Sequence, residues 1–128
     1  MSAPKNVKLG LMLFLANFLI GIPSIFLQIN YAPPELNRTV MSIGSVILFL
    51  MLGFIGYKLF RGSNLFRKIN ALLVIGGVVL TITGVTAVKH YHPAGVYLYW
   101  LGQVISISIV ILFFTPSANI WFEVDHNV

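Results

Sequence analysis

LGLMLFLANFLIGIPSIFLQ, residues Leu9–Gln28, is twenty residues long and carries no charged side chain. A hydrocarbon layer of about 30 Å is crossed by about 20 residues of α-helix at about 1.5 Å each. The same reading recurs outward along the chain, at Thr39–Tyr57, Ile69–Val88 and Val96–Phe114, runs of 19, 20 and 19 residues that are also free of charge. The pattern predicts an all-α integral membrane protein with four transmembrane helices in an up-down bundle. Residues 1–128 then form a single four-span domain, with spans at about 9–28, 39–57, 69–88 and 96–114.

Composition agrees. Apolar residues are 58% of the chain and charged ones 9%, where a soluble domain carries about 25% charged residues. With no cysteine, disulfides, thiolate metal sites and thiol catalysis are excluded. A net charge of +5 raises the question of nucleic acid. The basic residues, however, flank the apolar runs as bilayer anchors do and build no basic face, so no nucleic-acid partner is expected. Lys5 and Lys8 precede the first run as in a signal peptide. That run is longer than a usual signal core and no small-x-small cleavage pattern follows it, so it is read as an uncleaved span.

The loops set an orientation. Lys5, Lys8, Lys58, Arg61, Arg67 and Lys68 fall on one side of the four runs, and only Arg38 and Lys89 on the other. Six against two is a positive-inside bias that places both termini in the cytoplasm. A compact polytopic chain of this kind suggests the bacterial inner membrane.

Small and weakly polar residues recur at helical spacing within the runs. The first has Gly10, Asn17, Gly21, Ser24 and Gln28; the second Ser42, Ser45, Gly53 and Gly56; the third Asn70, Gly77, Thr81 and Gly84; the fourth Tyr99, Gln103 and Ser106. Lipid favours bulky aliphatics, so these stripes should face the bundle interior, where small residues let backbones approach and polar ones bond between helices. Asn17, Gln28, Thr81 and Gln103 are the candidate lining of a polar cleft, or else simple interhelical glue. Gly21, Gly77 and Gly84 are candidate packing positions, the last two framing a groove for another backbone. Pro23 removes one backbone donor and should kink the first helix.

Outside the runs, chemistry is sparse. Asn37 or Thr39 should cap the second helix, although Asn37-Arg38-Thr39 also matches a glycosylation acceptor. His90 and His92, with Glu35, could form only a partial metal shell, so neither a metal nor a cofactor is expected. The acids Glu35, Glu123 and Asp125 all lie outside the runs, and with no ionisable group buried between helices an enzyme is not expected. Phe66, Arg67 and Lys68 read as cytoplasmic interface anchors. Thr115-Pro116 should end the fourth helix and begin an interfacial foot with Trp121 at the headgroups.

The expected function is therefore non-catalytic. The chain should act through helix or loop contacts with a membrane partner, as an accessory subunit or an immunity-type protein, or by self-association, with the lipid bilayer as its medium. The alternative is a small oligomeric transporter or channel.

Overall fold

A computed structural model describes residues 2–31, 34, 37–83 and 93–124 of the chain. The histidine pair His90 and His92, together with Glu35, Gly84, Asp125 and His126, lies outside the described residues. The described residues are helical with no strand: α1 Lys5–Asn30, α2 Arg38–Phe60, α3 Asn64–Ile82, α4 Pro93–Phe113 and a short α5 Pro116–Glu123. The first four are 26, 23, 19 and 21 residues long, or roughly 28–39 Å at about 1.5 Å per residue. Each is long and apolar enough to cross a membrane.

Local chemistry explains the boundaries. The Asn37 side chain accepts from the backbone N–H groups of Thr39 at 2.9 Å and Val40 at 3.2 Å, capping α2 as the sequence suggests. The α2–α3 turn needs only Arg61, Gly62 and Ser63. Gly62 takes a φ of 77°, which a side chain disfavours. Its N–H donates to Leu59 O and that of Ser63 to Lys58 O, the paired bonds of a Schellman end. Ser63 then serves as the N-cap of α3, its hydroxyl accepting from the Phe66 N–H. Pro116 occupies the first turn of α5 behind Thr115, where its missing donor costs nothing. Pro23 stays inside a continuous α1.

α1 packs on α4 and α2, and α3 completes the ring by touching α4 and α2. Across each contact residue numbers run in opposite order. Asn6 meets Thr115 while Asn17 meets Ser106; Phe14 lies over Gly56 while Phe49 lies over Gly21; Arg67 meets Phe113 while Thr81 meets Tyr99.

Burial is lopsided. The core cluster joins Val7 and Leu11 of α1, Ile55 and Leu59 of α2, Ile109 and Phe113 of α4, and Ala118, Trp121 and Phe122 of α5. All of it lies at the end that holds the start of α1, the α2–α3 turn and α5; this end is called the base below. Phe113 seats its ring against the bare backbone of Gly10, where an added Cβ would lie 2.5 Å from Cε1. Phe14 does the same at Gly56, where a Cβ would lie 2.7 Å from its Cε1. Phe113, Phe122 and Trp121 then stack edge to face, with centroids 5.3 and 4.8 Å apart.

Two expectations are corrected at the base. Trp121 is not a headgroup anchor: it is only 6% exposed. α5 has apolar residues at 118, 121 and 122, one face of a helix, and that face closes the underside of the ring. Arg67 is not an interface anchor either. It is 4% exposed, so the expectation that no ionisable group is buried between the helices fails.

Candidate functional site

Arg67 owes its burial to hydrogen bonds. One terminal nitrogen donates to the Phe113 carbonyl at 3.0 Å and to Asn119 Oδ1 at 2.7 Å, and the other donates to Asn64 Oδ1 at 2.6 Å. The guanidinium carbon Cζ lies 4.5 Å from the Phe114 ring centre and 5.0 Å from that of Phe122. The Phe113 carbonyl belongs to the last turn of α4, which has no helical donor of its own. Arg67 thus fastens the start of α3 to the end of α4 and to α5. Its contacts are all with groups of the base, so its role is structural.

Above the base the packing opens. A cavity of about 380 Å³ lies at the centre, with walls from all four long helices. Its polar lining is Asn17, Asn70, Gln103 and Ser106; the rest is apolar, including Phe14 and Ile109. Asn17 Nδ2 donates to Ser106 Oγ at 2.9 Å, joining α1 to α4. Asn70 is 5% exposed. Its amide and that of Gln103 make no hydrogen bond among the described residues. Two smaller cavities, of about 170 and 180 Å³, also border Gln103. One runs along α1 and α4 past Gly21, Ser24 and Tyr99, and the other lies between α3 and α4 beside Thr81 and Trp100.

The candidate residues from sequence therefore divide. Asn17 and Gln103 share the central cavity. Thr81 stands one cavity away; its hydroxyl donates to the Gly77 carbonyl at 2.8 Å and so accepts from the Tyr99 hydroxyl. Gln28 lies apart near the end of α1, where its Nε2 donates to Ser24 Oγ at 3.4 Å. Gly21 packs beneath the Phe49 ring, with 3.3 Å from a built Cβ to the nearest ring carbon. Gly77 borders the central cavity, and nothing lies within 4 Å of where its Cβ would stand. Its bare backbone thus faces a void inside the bundle.

Asn70, Ser106, Ser24 and Arg67 are interior polar residues outside the candidate set; Asn70 and Arg67 share one face of α3. Both carried a signal. The spacing Arg67, Asn70, Val74, Gly77, Thr81 is three, four, three, four, one continuous helical face. Following the stripe backward past the first charge would have brought Arg67 inside.

The arrangement can bind but offers no acid or base at the cavity. No group of three or more His, Cys, Asp or Glu side chains gathers as a metal shell among the described residues. No protein-family model, curated protein or solved structure matches the chain.

Proposed function

We propose that this is a non-catalytic, multi-pass membrane protein that works by docking a second membrane-embedded chain. In this reading the four long helices cross the bilayer as an up-down bundle, with the base and both termini in the cytoplasm of a bacterial cell. The observation that carries the docking is the bare backbone on α2 and α3. Gly44 and Gly76 are both exposed, and among the described residues no neighbouring side chain or other helix comes within 4 Å of a Cβ placed on either. Phe54 and Phe66 pair across these helices at 5.4 Å. Ten residues along each helix from that pair, about 15 Å, come Gly44 and Gly76, at one level. Two uncovered glycine backbones at one depth are what a close-packing partner helix requires in lipid, where dispersion and short contacts drive association.

Transport is the second reading, favoured by the cavities that meet at Gln103. The base weighs against a conduit in one bundle, because Phe113, Phe122 and Leu59 fill that end completely.

Photo-crosslinkers installed singly at Gly44, Gly76 and, as a control, Met12 test the docking in native membranes. Met12 is a lipid-facing position of α1, 69% exposed. The expected result is one protein adduct of fixed mass from 44 and 76 and none from 12. That adduct should disappear from position 44 when Gly76→Leu fills the backbone opposite. No adduct at either glycine, with solute flux abolished by Gln103→Leu in a protein that still folds, would replace docking by transport.

A further inference from the structure

We propose that the central cavity is a binding site for an uncharged amphiphile. Its oxygen- or nitrogen-bearing head would bond Asn70 and Gln103, and it would enter sideways between α2 and α3. The site lies on the inner face of α3, but its entry shares the α2–α3 surface with the docking reading. Leu48 stands four residues from Gly44 and Leu73 three from Gly76, so a docked helix would cover it and the site fills in the undocked chain.

Size comes first. About 380 Å³ lies within the usual range of small-molecule sites, about 300–1,000 Å³. Need comes second. A buried amide with no hydrogen bond is costly, and nearly all such groups find a partner. Asn70 is 5% exposed as a residue; its amide opens onto the cavity rather than being sealed in the core and makes no hydrogen bond among the described residues. Gln103 is half-buried and faces the same space, its amide also without a hydrogen bond among the described residues. Asn17 spends one N–H on Ser106, whereas the amides of Asn70 and Gln103 make no hydrogen bond among the described residues, so most of the open capacity lies at these two.

The lining then selects the ligand. None of its residues is charged, so nothing compensates a phosphate, carboxylate or ammonium taken out of water. Amides both donate and accept, which suits a hydroxyl, a carbonyl or an amide. The remaining walls are leucine, valine, isoleucine and phenylalanine, which suit an alkyl tail. Access follows from two of the walls. Leu48 of α2 and Leu73 of α3 line the cavity and are each 51% exposed, so it reaches the outer surface between these helices. That surface is apolar, and the packed base closes one end of the bundle. Gly77 leaves the passage wide, with nothing within 4 Å of its Cβ position.

The test uses the full chain in phosphatidylcholine vesicles and a long-chain alcohol bearing a diazirine and an alkyne. The alcohol should label α3 and α4 saturably around Asn70 and Gln103. Unlabelled alcohol should compete, while the same chain ending in a carboxylate or a trimethylammonium should not. Gly77→Leu should abolish labelling by filling the cavity with side chain. Asn70→Leu, nearly equal in size, should weaken the apparent affinity about tenfold, the worth of one neutral hydrogen bond. Should Gly77→Leu fail to fold, Asn70→Leu and Gln103→Leu carry the test. Labelling that does not saturate, or that these variants leave unchanged, would mean bulk lipid only and overturn the site. Equal competition by the charged analogues would overturn the ligand class.

Discussion

Arg67 holds three acceptors from three segments, and no other residue type can do so in that space. A planar fork of donors reaches the Phe113 carbonyl, Asn119 and Asn64 together, while the guanidinium faces rest near Phe114 and Phe122. Leucine at position 67 would leave the buried Phe113 carbonyl unbonded, at about 1–3 kcal/mol, and strip a partner from the half-buried Asn64 and Asn119. Lysine keeps the charge but presents a point donor without the fork. Thermal unfolding of the detergent-solubilised protein should therefore rank wild type above Arg67→Lys and Arg67→Lys above Arg67→Leu. Equal melting of all three would show that the base holds without its fastening.

At the scale of elements, α5 is the part whose seat is least evident from its composition. Eight residues with one tryptophan resemble a membrane-surface foot, because amphipathic helices rest on lipid and on protein by the same apolar face. What decides between them is a receiving surface, here Val7, Leu59 and Phe113, and that surface exists only once distant segments meet. The expected consequence is optical. In a Trp100→Phe background Trp121 is the sole tryptophan. Its emission should be blue-shifted and shielded from both aqueous acrylamide and brominated lipid. Quenching by brominated lipid would return α5 to the interface.

At the scale of the whole molecule, the apolar runs made the four long helices legible, since charge-free stretches near 20 residues have few other uses. The Asn37 cap and the break at Thr115-Pro116 were legible for equally local reasons. The polar stripes brought Asn17 and Gln103 to one cavity, but not Gln28, which bonds within its own helix at Ser24. Arg67 is not legible from its charge, because charge ordinarily marks a membrane border, whereas here a set of hydrogen bonds at the helix ends holds it inside. Orientation belongs to this scale as well. Reporter fusions at Val128 and near Tyr91 should read cytoplasmic and external, following the loop charges. An externally active reporter at Val128 would reverse the topology.

The fastening at the base also sets an order of events during synthesis. Arg67 leaves the ribosome 52 residues ahead of Asn119, a lag of roughly 3–10 s at about 5–20 residues per second. Through that interval the third helix carries a cation that has Asn64 but not yet the Phe113 carbonyl or Asn119. Water, headgroups or the insertion machinery must hold it near the membrane border. A chain halted before residue 119 keeps that exposed charge, whereas a finished chain conceals it. The Arg67 charge is thus concealed only once α4 and α5 are in place.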